Sequence, residues 1–175
     1  GWTASMTQRA VASQRRINEF LLINPAIKNK TAAVVQKLTG NISFKDVNFI
    51  YPNTGIHAVK NFTLQINKGD KIAIVGRTGS GKTTIAQLLL RMYDAQQGQL
   101  LYDGIAVQDL KLENLRGQIS YVPQDVFLFS DSIKNNILFG NAGATFKEVE
   151  EAASAANIYK EISEFEDKFE TMVGE

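Results

Sequence analysis

The chain has 175 residues, of which 44% are hydrophobic and 21% are charged, and its net charge is +1. This balance is that of a folded domain, and it argues against a disordered chain and against a general nucleic-acid binder. With no cysteine and a single histidine, disulfides, thiolate metal sites and two-histidine metal sites are excluded. No apolar run approaches the roughly 18 residues that a membrane-spanning helix needs.

A helix is predicted near the N-terminus, over residues 5–23. Its apolar face repeats at spacings of three and four residues through Met6, Ala10, Ser13, Ile17 and Phe20. Residues 1–40 carry six basic residues and one acidic residue. Two interpretations are open: a helix packed on the domain, or a linker from an upstream domain with basic residues at a membrane boundary. Residues 24–40 are predicted to be an irregular connection.

Strands are predicted between residues 41 and 76. Apolar residues alternate with polar ones, and the shift in alternation at Lys45-Asp46 indicates a bulge. Residues 68–70 are predicted to form a turn. The continuous apolar run at 72–75 predicts a central strand covered on both faces.

The later elements have weaker or more local signals. An apolar face predicts a helix over residues 81–92, and short strands are predicted at 100–102 and 119–122. Thr145 and Glu148 fit a capping box that opens a helix running to residue 156.

The strongest motif is Gly-Arg-Thr-Gly-Ser-Gly-Lys-Thr at residues 76–83, which matches G-x-x-x-x-G-K-[ST] at every fixed position. A predicted strand precedes it and a predicted helix follows it, so backbone N–H groups and the helix N-terminus can hold phosphates. Lys82 is expected to reach the β- and γ-phosphates, Thr83 to coordinate Mg²⁺, and Thr84 to contact the α-phosphate. The predicted phosphate-binding residues are therefore Gly76, Arg77, Thr78, Gly79, Ser80, Gly81, Lys82, Thr83 and Thr84.

A family resemblance follows from several further segments that occur in order along the chain. They are residues 47–52, 62–64, 68–70, 93–94, 98–104, 115–125, 128–133 and 136–137. Together with the phosphate loop they resemble the nucleotide-binding domain of an exporter-type ATP-binding-cassette (ABC) transporter, from about Asn41 to Glu175. Residues 5–23 resemble the segment that joins an exporter's last membrane helix to its cassette.

The resemblance implies an α/β fold: a P-loop NTPase (RecA-like) core with an antiparallel β subdomain and the start of a helical subdomain, incomplete at its C-terminus. It also implies three segments. Residues 1–24 would be an amphipathic linker helix from an upstream transmembrane domain, 25–40 a connector, and 41–175 a partial nucleotide-binding domain. The expected location is the cytoplasmic face of the cell membrane.

The resemblance also implies roles for single residues. Tyr51 matches the aromatic residue that stacks on adenine, with Ile56 and Val59 beside the base; the alternative for Tyr51 is a core aromatic. Gln124 matches a glutamine that completes Mg²⁺ coordination and orients the attacking water; the alternative is an ordinary polar loop residue. Lys82 and Gln124 are thus the catalytic candidates, and Thr83 and Gln124 the metal ligands.

Two further segments also match features of the family or depart from them. Residues 127–129 match a groove that receives a short helix of the membrane domain, or else they pack in the core. His57 is expected to be an exposed turn residue, because the family's catalytic histidine lies far downstream.

The 175 residues contain no Leu-Ser-Gly-Gly-Gln signature, no acidic pair after an apolar strand and no switch histidine. We therefore expect a chain that binds ATP with Mg²⁺ but does not hydrolyse it, within a parent protein whose ATP hydrolysis drives export. The expected partners are its own or a partner transmembrane domain and a second ABC subunit, identical or different, with no nucleic acid. Two alternatives are a soluble cassette ATPase outside transport and a truncated nucleotide-binding module without turnover. The sequence does not name the transported substrate.

Overall fold

The computed structural model describes residues 1–125 and 127–174, and the chain divides into two compact units, Gly1–Ser120 and Tyr121–Glu175. The first unit contains α1 (Trp2–Leu21), β1 (Ile42–Ile50), β2 (His57–Ile66), α2 (Lys82–Leu89), β3 (Gln97–Tyr102), β4 (Ile105–Ala106) and α3 (Leu112–Arg116). The second contains β5 (Asp131–Ser132), α4 (Ile133–Leu138), α5 (Phe146–Ala155), α6 (Tyr159–Glu164) and β6 (Met172–Val173).

The first unit is built on a four-stranded antiparallel sheet in the order β2-β1-β3-β4. Phe44, Val47 and Phe49 of β1 are all buried although 44 and 47 are three residues apart. A register shift between Phe44 and Val47, with Asp46 at φ 48°, keeps them on one face. The predicted bulge is confirmed, and so is the turn at 68–70, where Gly69 has φ 88°.

Helix α2 covers the buried face of this sheet. Ile85 and Leu88 project into the core formed by β1, β2 and β3, and Leu110 and Leu115 complete that core with no exposed surface. An isolated eight-residue helix is unstable in water, so packing on the sheet is what holds α2 in place.

The connector ahead of β1 is irregular, as predicted, and it is fixed to the segment around α3. Val34 forms a parallel bridge with Leu110, donating its N–H to the carbonyl oxygen of Asp109 at 2.7 Å and accepting from the N–H of Lys111 at 2.9 Å. The side-chain Oδ1 of Asn29 accepts from the Leu112 N–H at 2.7 Å. These contacts make the connector part of the first unit.

Helix α1 confirms the predicted N-terminal helix, with bounds Trp2–Leu21. Its described side chains are all exposed, including Trp2 at 75% and Phe20 at 73%. The interpretation that packs this helix on the domain is therefore wrong for this structure. Of the described helices, α1 included, none is long and apolar enough to cross a membrane.

Two predicted strands are not formed. Residues 72–75 have no strand assignment, and Ile72 and Val75 are 48% and 92% exposed. The prediction rested on apolarity alone, whereas a strand also needs a neighbour, and none of the described strands pairs with this segment. The same holds for residues 119–122, where Val122 is 88% exposed. Helix α2 is also shorter than predicted, since Arg91 adopts φ 48°.

The second unit has its own small core. Val149 and Ala153 of α5 pack with Ile162 and Phe169, and β5 pairs antiparallel with β6. The predicted capping box opens α5: the Thr145 hydroxyl accepts from the Glu148 N–H, and the Glu148 carboxylate accepts from the Thr145 N–H at 2.7 Å. The Thr145 N–H and the Thr145 hydroxyl both donate to the Glu148 carboxylate, and these two bonds lower the pKa of Glu148.

Asp103, in the β3–β4 turn, should make the stability of the first unit acid-sensitive. Its carboxylate accepts from the hydroxyl and N–H of Thr39 and from Asn41, and the Thr39 hydroxyl is the main cause that lowers the pKa of Asp103 to about 2. A lowered folded-state pKa adds stability above the unfolded pKa of about 3.9, and this is lost as the pH falls toward 2.

We expect Asp103→Asn to lower the free energy of unfolding at pH 7 by an amount on the order of 1 kcal/mol. The free energies of unfolding of the parent and the variant, measured with denaturant, should converge as the pH is lowered from 4 to 2. Glu19→Gln removes a similar charge on the exposed helix α1 and serves as the control. A difference that persists unchanged at pH 2 would show that the carboxylate charge is not responsible.

Candidate functional site

The phosphate loop turns tightly into α2. The Ser80 N–H donates to the carbonyl oxygen of Arg77 at 3.1 Å, and Gly79 and Gly81 have φ angles of 79° and 89°. A Cβ on Gly81 would overlap the carbonyl oxygen of Ala58 in β2. Glycine at this position therefore allows both the left-handed turn and the close approach of the helix start to the sheet.

A cavity of about 260 Å³ lies between this loop and the β1–β2 hairpin. At the hairpin end it is lined by Tyr51, Ile56 and Ala58. Its other wall is the end of the loop and the first turn of α2, formed by Gly79, Ser80, Gly81, Lys82, Thr83 and Thr84. The structure thus brings Tyr51 and the phosphate motif, which are far apart in the sequence, to one cavity.

Lys82 is held at the mouth of its own loop. Its Nζ donates to the carbonyl oxygens of Gly76 at 2.7 Å and Arg77 at 2.8 Å. An ammonium group has three donors, so two are used by the loop and one is left for an anion. The Lys82 ammonium is therefore held at the loop with one N–H donor still available.

The first turn of α2 adds further groups. Thr83 is exposed and lines the cavity, and the N–H groups of this turn have no partner four residues earlier within the helix. Thr84 is buried, with 4% exposure, and its hydroxyl lies 2.9 Å from the Tyr51 hydroxyl. That hydroxyl thus already has a partner within the protein, whereas its N–H remains at the helix start.

Tyr51 packs partly in the core and partly lines the cavity. Its ring packs edge-on against Phe49 and Tyr93, at centroid distances of 4.9 Å and 5.4 Å, yet it is half-buried and lines the cavity. Its hydroxyl donates to Oε1 of Gln87 at 2.9 Å. Sequence reasoning missed Gln87, and the only available signal was its position three residues after Thr84 on one helix face.

The remaining predicted residues lie elsewhere. Arg77 and Thr78 are exposed and are not among the residues that line the cavity. Val59 is in the core with 5% exposure, so Ala58 takes the wall position beside Ile56. Gln124 is exposed and belongs to the second unit. His57 is exposed, as expected, but it is the first residue of β2.

A magnesium ion would not find an all-protein cage here, since the described ranges contain no group of three histidine, cysteine or acidic side chains suited to a metal. Magnesium usually keeps waters and binds through substrate phosphates plus one or two protein oxygens. The hydroxyl of Thr83, an exposed residue that lines the same cavity as Lys82, fits that mode.

The second unit carries an exposed aromatic cluster. Phe129 lies between Phe127 and Phe139, at centroid distances of 5.0 Å and 4.4 Å, and Phe127 and Phe139 are 75% and 71% exposed. Core packing, the alternative for residues 127–129, therefore does not describe them, and Phe139 extends the predicted apolar surface.

Comparison with protein families gives a match to the ABC transporter family over residues 59–173. Among curated proteins, the chain is 39% identical over 175 residues to the probable multidrug resistance ABC transporter ATP-binding/permease protein YheI of Bacillus subtilis, covering 100% of this chain and 30% of that protein. It is 41% identical over 161 residues to the ATP-dependent lipid A-core flippase of Pseudoalteromonas atlantica, covering 91% and 28%.

Among solved structures, a bacterial Atm1-family ABC exporter with ATP bound matches with a TM-score of 0.88 and 29% identity, covering 96% of this chain and 29% of that one. The chain therefore spans less than a third of the length of these relatives. The mixed α/β fold with its antiparallel sheet agrees with the fold expected from the sequence.

Lys82→Ala tests the phosphate end of the cavity. Removing the ammonium deletes a charge-assisted contact of about 1.5–3 kcal/mol, so ATP affinity should fall by roughly 10- to 150-fold. Calorimetric titration with Mg²⁺-ATP measures this, and Lys71→Ala, outside the motif, is the control. Unchanged ATP affinity in Lys82→Ala would reject the site.

Proposed function

Because the chain belongs to the ABC transporter family, we propose that it binds Mg²⁺-ATP as the nucleotide-binding part of an exporter. ATP binding and hydrolysis in the whole protein would drive transport across a membrane. The observation that carries this proposal is the single cavity in which the Tyr51 ring faces the same space as the loop that ends in Lys82 and Thr83.

Each end of this cavity fits one part of the nucleotide. The Tyr51 ring offers a flat face to adenine, with Ile56 and Ala58 as an apolar surround. The loop amides, the start of α2 and Lys82 bind the phosphates. Thr83 would hold Mg²⁺, which when bound neutralises charge on the β- and γ-phosphates.

Gln124 remains a proposed metal and water ligand, supported by its match to the family's glutamine position. A neutral amide oxygen is a suitable Mg²⁺ ligand. Its exposure leaves the side chain free to take up this role.

We propose a transmembrane domain and a second ABC subunit as partners. Support comes from the relative named as an ATP-binding/permease protein, which matches over the full chain, and from the exporter whose structure is similar. The exposed cluster of Phe127, Phe129 and Phe139 provides the apolar surface that docking of a membrane-domain helix needs. We propose that the chain lies at the cytoplasmic face of the cell membrane, and the transported substrate is left open.

A cassette ATPase outside transport has less support. The match to the ATP-binding/permease relative includes residues 1–40, and α1 presents exposed apolar side chains along its length. A connector that continues from a membrane domain accounts for both observations.

Tyr51→Ala tests the base end of the cavity. Loss of stacking costs about 1–3 kcal/mol, so affinities for ATP and ADP should fall together by roughly 5- to 150-fold, while that for pyrophosphate stays within twofold. Because Tyr51 also packs on Phe49 and Tyr93, thermal unfolding of the variant is measured in parallel. Equal weakening for pyrophosphate would show that Tyr51 acts through the fold.

ATP hydrolysis provides the strictest test of the proposed function. The 175 residues include neither the signature motif nor a carboxylate that the family pattern places as general base. We therefore expect the 175-residue chain alone to release no phosphate from ATP above a Lys82→Ala control. Lys82-dependent phosphate release from this chain would show that one of its own carboxylates acts as the base.

A further inference from the structure

The Tyr51 side chain is fixed from three sides. Phe49 and Tyr93 contact its ring edge-on, with interplanar angles of 80° and 86°. Its hydroxyl is held at 2.9 Å by both Gln87 and Thr84 of α2. One proton arrangement satisfies all groups: the Tyr51 hydroxyl donates to Gln87 Oε1, and the Thr84 hydroxyl donates to the Tyr51 oxygen.

These two partners connect Tyr51 to the phosphate end of the cavity. Thr84 and Gln87 lie three residues apart, on one face of the helix that begins at Lys82. Thr84 is buried and Gln87 is half-buried, so the hydrogen bonds are partly removed from competing water. The plane of the ring and the start of α2 are thus held in a fixed relation.

We propose that Gln87 is a positioning residue for nucleotide binding: through the Tyr51 hydroxyl it holds the ring in the orientation that stacks on the base. The inference rests on the proposed function, because it assigns the Tyr51 ring to the base. A ring fixed before binding loses less conformational freedom when the nucleotide arrives, and this preorganisation strengthens binding.

The effect belongs to the base and not to the phosphates. Gln87 is not among the residues that line the cavity, and its side chain reaches the site through Tyr51. Loss of its acceptor oxygen should therefore lower the affinity for nucleotides, which carry a base, and leave the affinity for polyphosphates without a base unchanged.

The test compares Gln87→Leu with Gln87→Glu, which retains an acceptor oxygen, by calorimetry of the full chain with Mg²⁺-ATP and with tripolyphosphate. Gln99→Leu makes the same chemical change on β3, away from the cavity, and is the matched control. We expect Gln87→Leu to lower the affinity for ATP three- to tenfold and the affinity for tripolyphosphate less than twofold. Gln87→Glu should bind ATP within twofold of the parent.

A double variant shows whether Gln87 acts through the hydroxyl. Tyr51→Phe retains the ring and removes the hydroxyl, so the combination of Tyr51→Phe with Gln87→Leu should bind ATP no more weakly than the weaker single variant. Additive losses would overturn the inference, as would equal weakening of tripolyphosphate by Gln87→Leu.

Two reference variants separate this inference from the proposed function. If Lys82→Ala and Tyr51→Ala lower the affinity for ATP while Gln87→Leu does not, the inference fails and the nucleotide site stands. If neither Lys82→Ala nor Tyr51→Ala lowers the affinity for ATP, the nucleotide site fails and the inference fails with it.

Discussion

The position of α2 on the antiparallel sheet is the constraint on which the rest of the first unit depends. At its start, Gly81 lies so close to Ala58 that no side chain fits between the helix and β2. At its end, the carbonyl oxygen of Leu89 accepts from the Tyr102 hydroxyl at 2.8 Å, and that of Leu90 accepts from Arg116 at 3.0 Å. Burial raises the pKa of Tyr102, so this donor keeps its proton. An otherwise marginal helix is fixed at both ends, and so is the loop ahead of it.

Arg91, two residues after the end of α2, also ties the connector to this part of the fold. Arg91 is buried at 2% exposure and forms an ion pair with Asp94 at 3.0 Å, while its Nη2 donates to the carbonyl oxygen of Lys28 at 3.2 Å. A buried guanidinium is costly unless it is paired, so loss of these contacts would destabilise the fold. The segment that follows α1 is therefore attached to the same helix whose other end carries the phosphate loop.

Local chemistry in the sequence was sufficient for the bulge at Asp46, the capping box at Thr145 and the phosphate loop, because each is specified by a few neighbouring residues. It was insufficient for residues 72–75, since an apolar run reports what a segment can bury and not which strands flank it. The early end of α2 was missed because Arg91 adopts a positive φ to reach tertiary partners. Gln87 was missed because its partner is 36 residues away in the chain, and no spacing rule connects them.

One end of the cavity is formed by the β1–β2 hairpin and the other by the phosphate loop with the start of α2. The two ends can therefore contact different parts of a ligand. In the proposed nucleotide complex the hairpin end would meet the base, which ATP and ADP share, so stacking on Tyr51 would not distinguish them. A response to the γ-phosphate has to arise at the loop, where Lys82 already uses two of its three donors on Gly76 and Arg77. A phosphate oxygen that takes the remaining donor, or replaces one of these carbonyls, changes the contacts that hold the loop itself. Because the loop continues directly into α2, and α2 holds the Tyr51 hydroxyl, a change at the loop end of the cavity is connected by hydrogen bonds to the hairpin end.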